Sequence, residues 1–306
     1  MANGSYPFIS LISPNAGVPM NNQPKMLLAL QDEPASTDLV DQASAWAERL
    51  GHTLHLTTIV ATHFGVDPFV GMDGMFTVQM AALPVPPDTL DWLHELAERI
   101  PAAVRGGVEI TTGDVVTSLI EASKSVELLA VGTHHRTGAA RLFLGSTAEA
   151  VVRASECPVM VLSNDARSLP VDGTVKVRLP IDPSHANTGG IEWLAEYVPD
   201  ADATAVYALP WLRIFGSSLE TASSVYDAAS DHLRVALEKE GHGKLPQLIL
   251  VSEEVNSGDV IAHEADEARA DLIVLPTRGR SGILHAVMGS VAERTVRAAT
   301  MTVVVI

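Results

Sequence analysis

The chain has 306 residues, 47% hydrophobic and 19% charged, which is enough length and apolar content for two globular domains with cores of their own. Its formal charge is −17, from 37 acidic against 20 basic side chains, and so acidic a surface excludes general binding to a nucleic-acid backbone. Cys157 is the one cysteine, so no intrachain disulfide can form, and no run reaches the ~18 continuous apolar residues of a membrane span.

Residues 1–23 read as an N-terminal arm. Its apolar run Phe8-Ile9-Ser10-Leu11-Ile12 has no basic flank and is broken by Ser13 and Pro14, which argues against a signal peptide and for a cytoplasmic protein. From there short apolar runs alternate with helical patterns. Strands are expected near 25–31, 53–60, 107–111, 127–132 and 158–163, and helices near 36–50, 88–100, 114–124 and 145–155. The stretch 62–87, with Gly65, Gly71 and Gly74, is long for a plain connection and reads either as a lid or as an exposed insertion. Residues 164–174, rich in Ser, Asn, Asp, Pro and Gly, form a linker. Strands then recur near 175–181, 202–208, 246–252, 271–276 and 301–306. Strand–helix alternation on this scale predicts an α/β fold: two tandem open parallel five-stranded sheets with helices on both faces, Rossmann-like.

The second set repeats the first. The run Leu128 to Gly132 ends in Thr133-His134-His135-Arg136-Thr137-Gly138; Leu272 to Pro276 ends in Thr277-Arg278-Gly279-Arg280-Ser281-Gly282. At equal spacing beyond, Gly145-Ser146-Thr147-Ala148-Glu149 answers Gly289-Ser290-Val291-Ala292-Glu293, and Gly113-Asp114-Val115 matches Gly258-Asp259-Val260. Asp114 and Ser146 follow glycines, where short polar groups can cap helix starts. A glycine-rich turn after a strand lets the backbone approach a phosphate, and the later Gly-Ser opens a helix whose free N–H groups attract an anion. In an open parallel sheet both features lie at the carboxyl ends of the strands, where ligands bind.

The doubled arrangement of glycine, two residues, glycine, nine residues and Gly-Ser resembles the universal stress protein family over nearly all of residues 25–306. The resemblance implies an adenine-nucleotide alpha-hydrolase-like fold with domains at 24–163 and 175–306, and ATP or a related nucleotide as ligand. In the second copy it places Asp182, Pro183, Thr277, Gly279, Arg280, Gly282, Gly289, Ser290 and Val291 in the nucleotide site. In the first it places Gly132, Thr133, Gly138, Gly145, Ser146 and Thr147 there. The aspartate that closes the first strand in ATP-binding members is Asp182 in the second copy. In the first copy Gln31 stands in its place, followed by Asp32, and His135 replaces a motif glycine. The second copy loses only its first glycine, to Pro276, so nucleotide is expected there first. Family domains pair through their final strands, which implies an intrachain pseudo-dimer and leaves a further homodimer open.

Nothing assembles into a catalytic set: the chain has no Gly-x-Ser-x-Gly elbow and no Walker A motif. The reading is a non-catalytic stress-response regulator, at most a slow ATPase. Two alternatives stay open, a nucleotide-independent interaction scaffold and a binder of a small apolar metabolite under the segment around 65–87. His52, His55, His63, His134 and His135 show no metal-ligand spacing and read as satisfied or solvent-facing. Cys157, before Pro158, reads as a buried small hydrophobe, and Trp46 and Trp193 as core or interface packing. Arg136, Arg278 and Arg280 border the glycine turns, facing either phosphate or solvent.

Overall fold

A computed structural model describes residues 23–31, 33, 35–61, 85–133, 145–163, 166–170, 173–181, 189–210, 247–253, 256–276 and 288–306, with helical backbone at 223–224, 227–228, 230–231 and 234–235. The first half contributes β1 Lys25–Leu30, β2 Thr53–Ala61, β3 Arg105–Gly113, β4 Leu128–Gly132 and β5 Val159–Leu162. Its helices are α1 Ser36–Leu50, α2 Thr89–Arg99, α3 Val115–Ala122 and α4 Ser146–Ala154. The second half contributes β6 Lys176–Pro180, β7 Asp202–Pro210, β8 Gln247–Glu253, β9 Leu272–Leu275 and β10 Thr302–Val305. With them run α5 Gly189–Tyr197, α6 Ser257–Glu267 and α7 Ser290–Ala298.

The two expected five-stranded sheets are halves of one sheet, in the order β3-β2-β1-β4-β5-β10-β9-β6-β7-β8. Every pairing is parallel except the central one, where β5 and β10 run antiparallel with Val159 opposite Val305 and Val161 opposite Val303. That seam removes two exposed strand edges at once.

Alternation along the strands divides most of the buried apolar residues between two cores, with Val206, Ala208 and Ile261 forming a smaller third cluster. Met26, Leu28, Leu128, Met160, Val177 and Val304 face one side, covered by α1, α2 and α5. Leu27, Leu129, Val161, Ile273 and Val303 face the other, covered by α3, α4 and α7. Each core runs unbroken from one half into the other. Trp46 of α1 is almost wholly buried and donates its indole N–H to Thr302 Oγ1 of β10, while Trp193 stacks at 5.3 Å on Tyr197, itself 5.3 Å from His52. Both tryptophans therefore pack core and seam together.

One expectation about helix starts needs correction. Asp114 caps α3, accepting from Thr117 N at 2.8 Å, but Ser146 is the first residue of α4 and caps nothing. The matching tripeptides also fall at different places. Gly113 ends β3 at φ +147, whereas Gly258 lies inside α6, whose cap is Asn256. A Cβ on Gly258 would come within 2.6 Å of Arg294 Cβ and 2.8 Å of Val291 O, so close α6–α7 contact is what requires glycine there.

Candidate functional site

In each half the strand order reverses direction between the first and fourth strands, β1 and β4 in one and β6 and β9 in the other. This is the switch point where a crevice opens at the carboxyl ends of a parallel sheet. In the first half the crevice is a cleft of about 170 Å³. Leu30, Leu39, Ile59 and Val131 give it apolar walls, and Gln31, Thr133, Ser146 and Thr147 stand at its polar side. Helix α4 starts against it from Gly145, which has no side chain to occupy the first N–H groups. An apolar floor beside a positive helix end suits a ligand with a flat or aliphatic body and an anionic group.

Gly132, Thr133, Gly145, Ser146 and Thr147 all line this cleft, but the bareness of Gly132 has a different physical reason. A Cβ there would lie 2.5 Å from Leu39 Cδ1, so its bareness admits a side chain of α1 rather than a phosphate. Gln31 shapes the rim through its backbone: its carbonyl accepts from Glu33 N and from the Ser36 hydroxyl. Leu39, Ile59 and Leu119 line the cleft without having been singled out in the sequence, and their helical or strand spacing marks them only as buried.

The second half repeats the frame. Gly289 precedes α7 without a side-chain cap, and Ser290, its first residue, is exposed. β9 stops at Leu275 where β4 continues to Gly132, because Pro276 has no N–H to extend the ladder. Asp182, Pro183, Thr277, Gly279, Arg280 and Gly282, and in the first half Asp32, Gly138, His134, His135 and Arg136, lie outside the described residues. So do Arg278, His63 and nearly all of the 62–87 stretch.

Of the described histidines, His52 and His55 serve the fold. His55 Nδ1 accepts from Gly107 N at 3.0 Å, where two β3 residues oppose one on β2. A Cβ on Gly106 would stand 2.5 Å from that ring, so glycine makes room for it. Burial pushes the His55 ring down to about 4, with Lys25 adding to the effect. Cys157 is half-buried rather than buried, and desolvation pushes its thiol up to about 11. Among the described residues no group of three or more His, Cys, Asp or Glu is placed to hold a metal, and no helix is long and apolar enough to cross a membrane.

Residues 24–163 and again 175–306 match the universal stress protein family. The chain belongs to that family. Among curated relatives, the universal stress protein Rv2005c of Mycobacterium tuberculosis is 26% identical over 210 residues, covering 64% of this chain and 67% of its own. A universal stress protein of Mycobacterium bovis is equally similar, at 26% over 210 residues. The crystal structure of a universal stress protein from Archaeoglobus fulgidus superposes with a TM-score of 0.65 at 19% identity, covering 93% of this chain and 98% of that one. A functionally unknown protein from Pseudomonas aeruginosa superposes at 0.61 with 15% identity, over 93% and 92%. At such identities the likeness is one of fold. In this universal stress protein the uncapped Gly-Ser starts of α4 and α7 occupy corresponding places in the two halves.

Proposed function

We propose that this universal stress protein is a non-catalytic, cytoplasmic stress-response regulator whose second half binds ATP or a related nucleotide. The observation that carries the reading is the start of α7: Gly289 leaves the first N–H groups without a side-chain cap, with Ser290 exposed beside them, at the switch point of its half-sheet. Asp182, Pro183, Thr277, Gly279, Arg280, Gly282 and Val291 complete the proposed site, with Asp182 on the nucleoside. The first half is the poorer site. Gln31 replaces the aspartate, Leu39 fills the space over Gly132, and a cleft of about 170 Å³ is below the ~300 Å³ of an ordinary small-molecule pocket. The division into arm 1–23, domains 24–163 and 175–306 and linker 164–174 belongs to the same proposal.

Equilibrium dialysis of the intact chain with labelled ATP, beside Asp182→Ala and His135→Gly, tests it. Saturable binding lost in Asp182→Ala supports the second-half site. No binding before or after stripping of co-purified ligand sinks it. A second reading, the nucleotide-independent scaffold, draws support from the seam, since a sheet continuous through β5 and β10 holds the halves together without a ligand. Binding restored only by His135→Gly would favour that scaffold.

A further inference from the structure

Helices α4 and α7 meet across the seam through a closed ring of four charges. Arg153 Nη2 lies 3.1 Å from Glu149 Oε1 on its own helix and 2.5 Å from Glu293 Oε2 on α7. Arg297 Nη2 lies 2.8 Å from Glu293 Oε1 on its own helix and 2.7 Å from Glu149 Oε2 on α4. Each ring contact uses one nitrogen of its guanidinium, shared between two carboxylates, while the buried Nε of each arginine has no partner among the described residues. The carboxylates compete for shared cations.

The ring is attached to the ligand-facing helix ends. Glu149 N makes the bond to Gly145 O that opens α4, and Glu293 N makes the equivalent bond to Gly289 O in α7. Gly145 to Ala148 line the first-half cleft, and Glu149 is the next residue. An anion held at the start of α7 adds negative charge beside Glu293 and draws both shared guanidiniums toward α7. Glu149 then loses neutralisation, and its charge, one turn from Ser146, opposes an anion at α4.

We propose that the Glu149–Arg153–Glu293–Arg297 ring couples the two helix starts with negative sign, so that an anionic ligand at α7 loosens α4 and disfavours a second one there. This rests on the proposed nucleotide reading only for the identity of the ligand. Coupling of this kind is a property of the two sites and acts equally in both directions.

Hydrogen exchange on the full-length chain tests the coupling apart from the ligand. Ser290→Asp places a fixed carboxylate at the first residue of α7, where an acidic residue is compatible with the helix, and Ser290→Asn is its neutral control. Relative to Ser290→Asn, Ser290→Asp is expected to speed exchange in the α4 segment by about five-fold, the low end of measured site–site couplings. In a Glu149→Gln background that acceleration should vanish. Equal α4 exchange in the Asp and Asn variants overturns the proposal, as does an acceleration that persists with Glu149→Gln. ATP added to the unmodified chain supplies the second arm. If Ser290→Asp loosens α4 while ATP changes exchange nowhere, the coupling stands and the nucleotide reading falls.

Discussion

The indole N–H of Trp46 donates to the hydroxyl of Thr302 at 3.0 Å, joining residues 256 apart in sequence and on opposite sides of the central seam. Both side chains are buried, so each group depends on the other. Thr302→Val keeps the volume but strands a buried N–H, and should cost roughly 1–3 kcal/mol. Trp46→Phe should cost at least as much, through lost packing as well as the lost bond. Urea midpoints for the two single variants and the double variant close a cycle. A double variant as unstable as the sum of the singles would remove the inferred coupling.

Acid should weaken the chain in a defined window. Folded His55 stays neutral down to about 4, whereas an ordinary histidine takes its proton near 6.5. Between those values the unfolded state binds more protons, so this contribution is complete above pH 6.5 and is lost as pH falls toward 4. His52 is shifted the same way, chiefly by burial, and adds to the trend. Denaturation midpoints between about pH 7.5 and 5 should slope less steeply in His55→Asn. An unchanged slope would mean that other groups control the acid response.

Gly132→Ala tests what the first-half glycine is for. Its new Cβ meets Leu39 at 2.5 Å, so overpacking should cost about 1–3 kcal/mol in thermal or urea denaturation. Adding Leu39→Ala should recover part of that loss. Failure of the pair to show any compensation would return Gly132 to the role of a phosphate-facing residue.

Cys157 should be a slow thiol. With its pKa pushed up to about 11 from 9.0, the thiolate fraction near neutrality falls by about 100-fold. Iodoacetamide labelling followed by intact mass should be slow in buffer and fast in urea. Equal rates would show that the burial inferred for this thiol does not govern its reactivity.

Much of the fold was legible because strand and helix periods are local. The apolar runs at residues 25–30 and 128–132 had to be buried strands, and the repeated Gly-Ser motifs had to open helices at one end of a parallel sheet. Asp114 could be read as a cap from its place alone. Gly258 could not, since the same three residues as Gly113-Asp114-Val115 sit inside α6, held there by contact with α7. The charge ring left a trace in the sequence, the Glu-x-x-x-Arg spacing repeated as Glu149…Arg153 and Glu293…Arg297. On each helix by itself it reads as an ordinary i,i+4 pair.

The sequence by itself determined the repeat, the α/β class, the positions of the strands and the family, because each depends on patterns within a few tens of residues. The family resemblance already implied pairing through the final strands; only the tertiary structure decided the register of β5 on β10, that Leu39 occupies the space over Gly132, and that each arginine of the ring is shared across the seam. Those relations depend on which surfaces meet after folding, and side chains more than a hundred residues apart carry no local signal of the partner they will find.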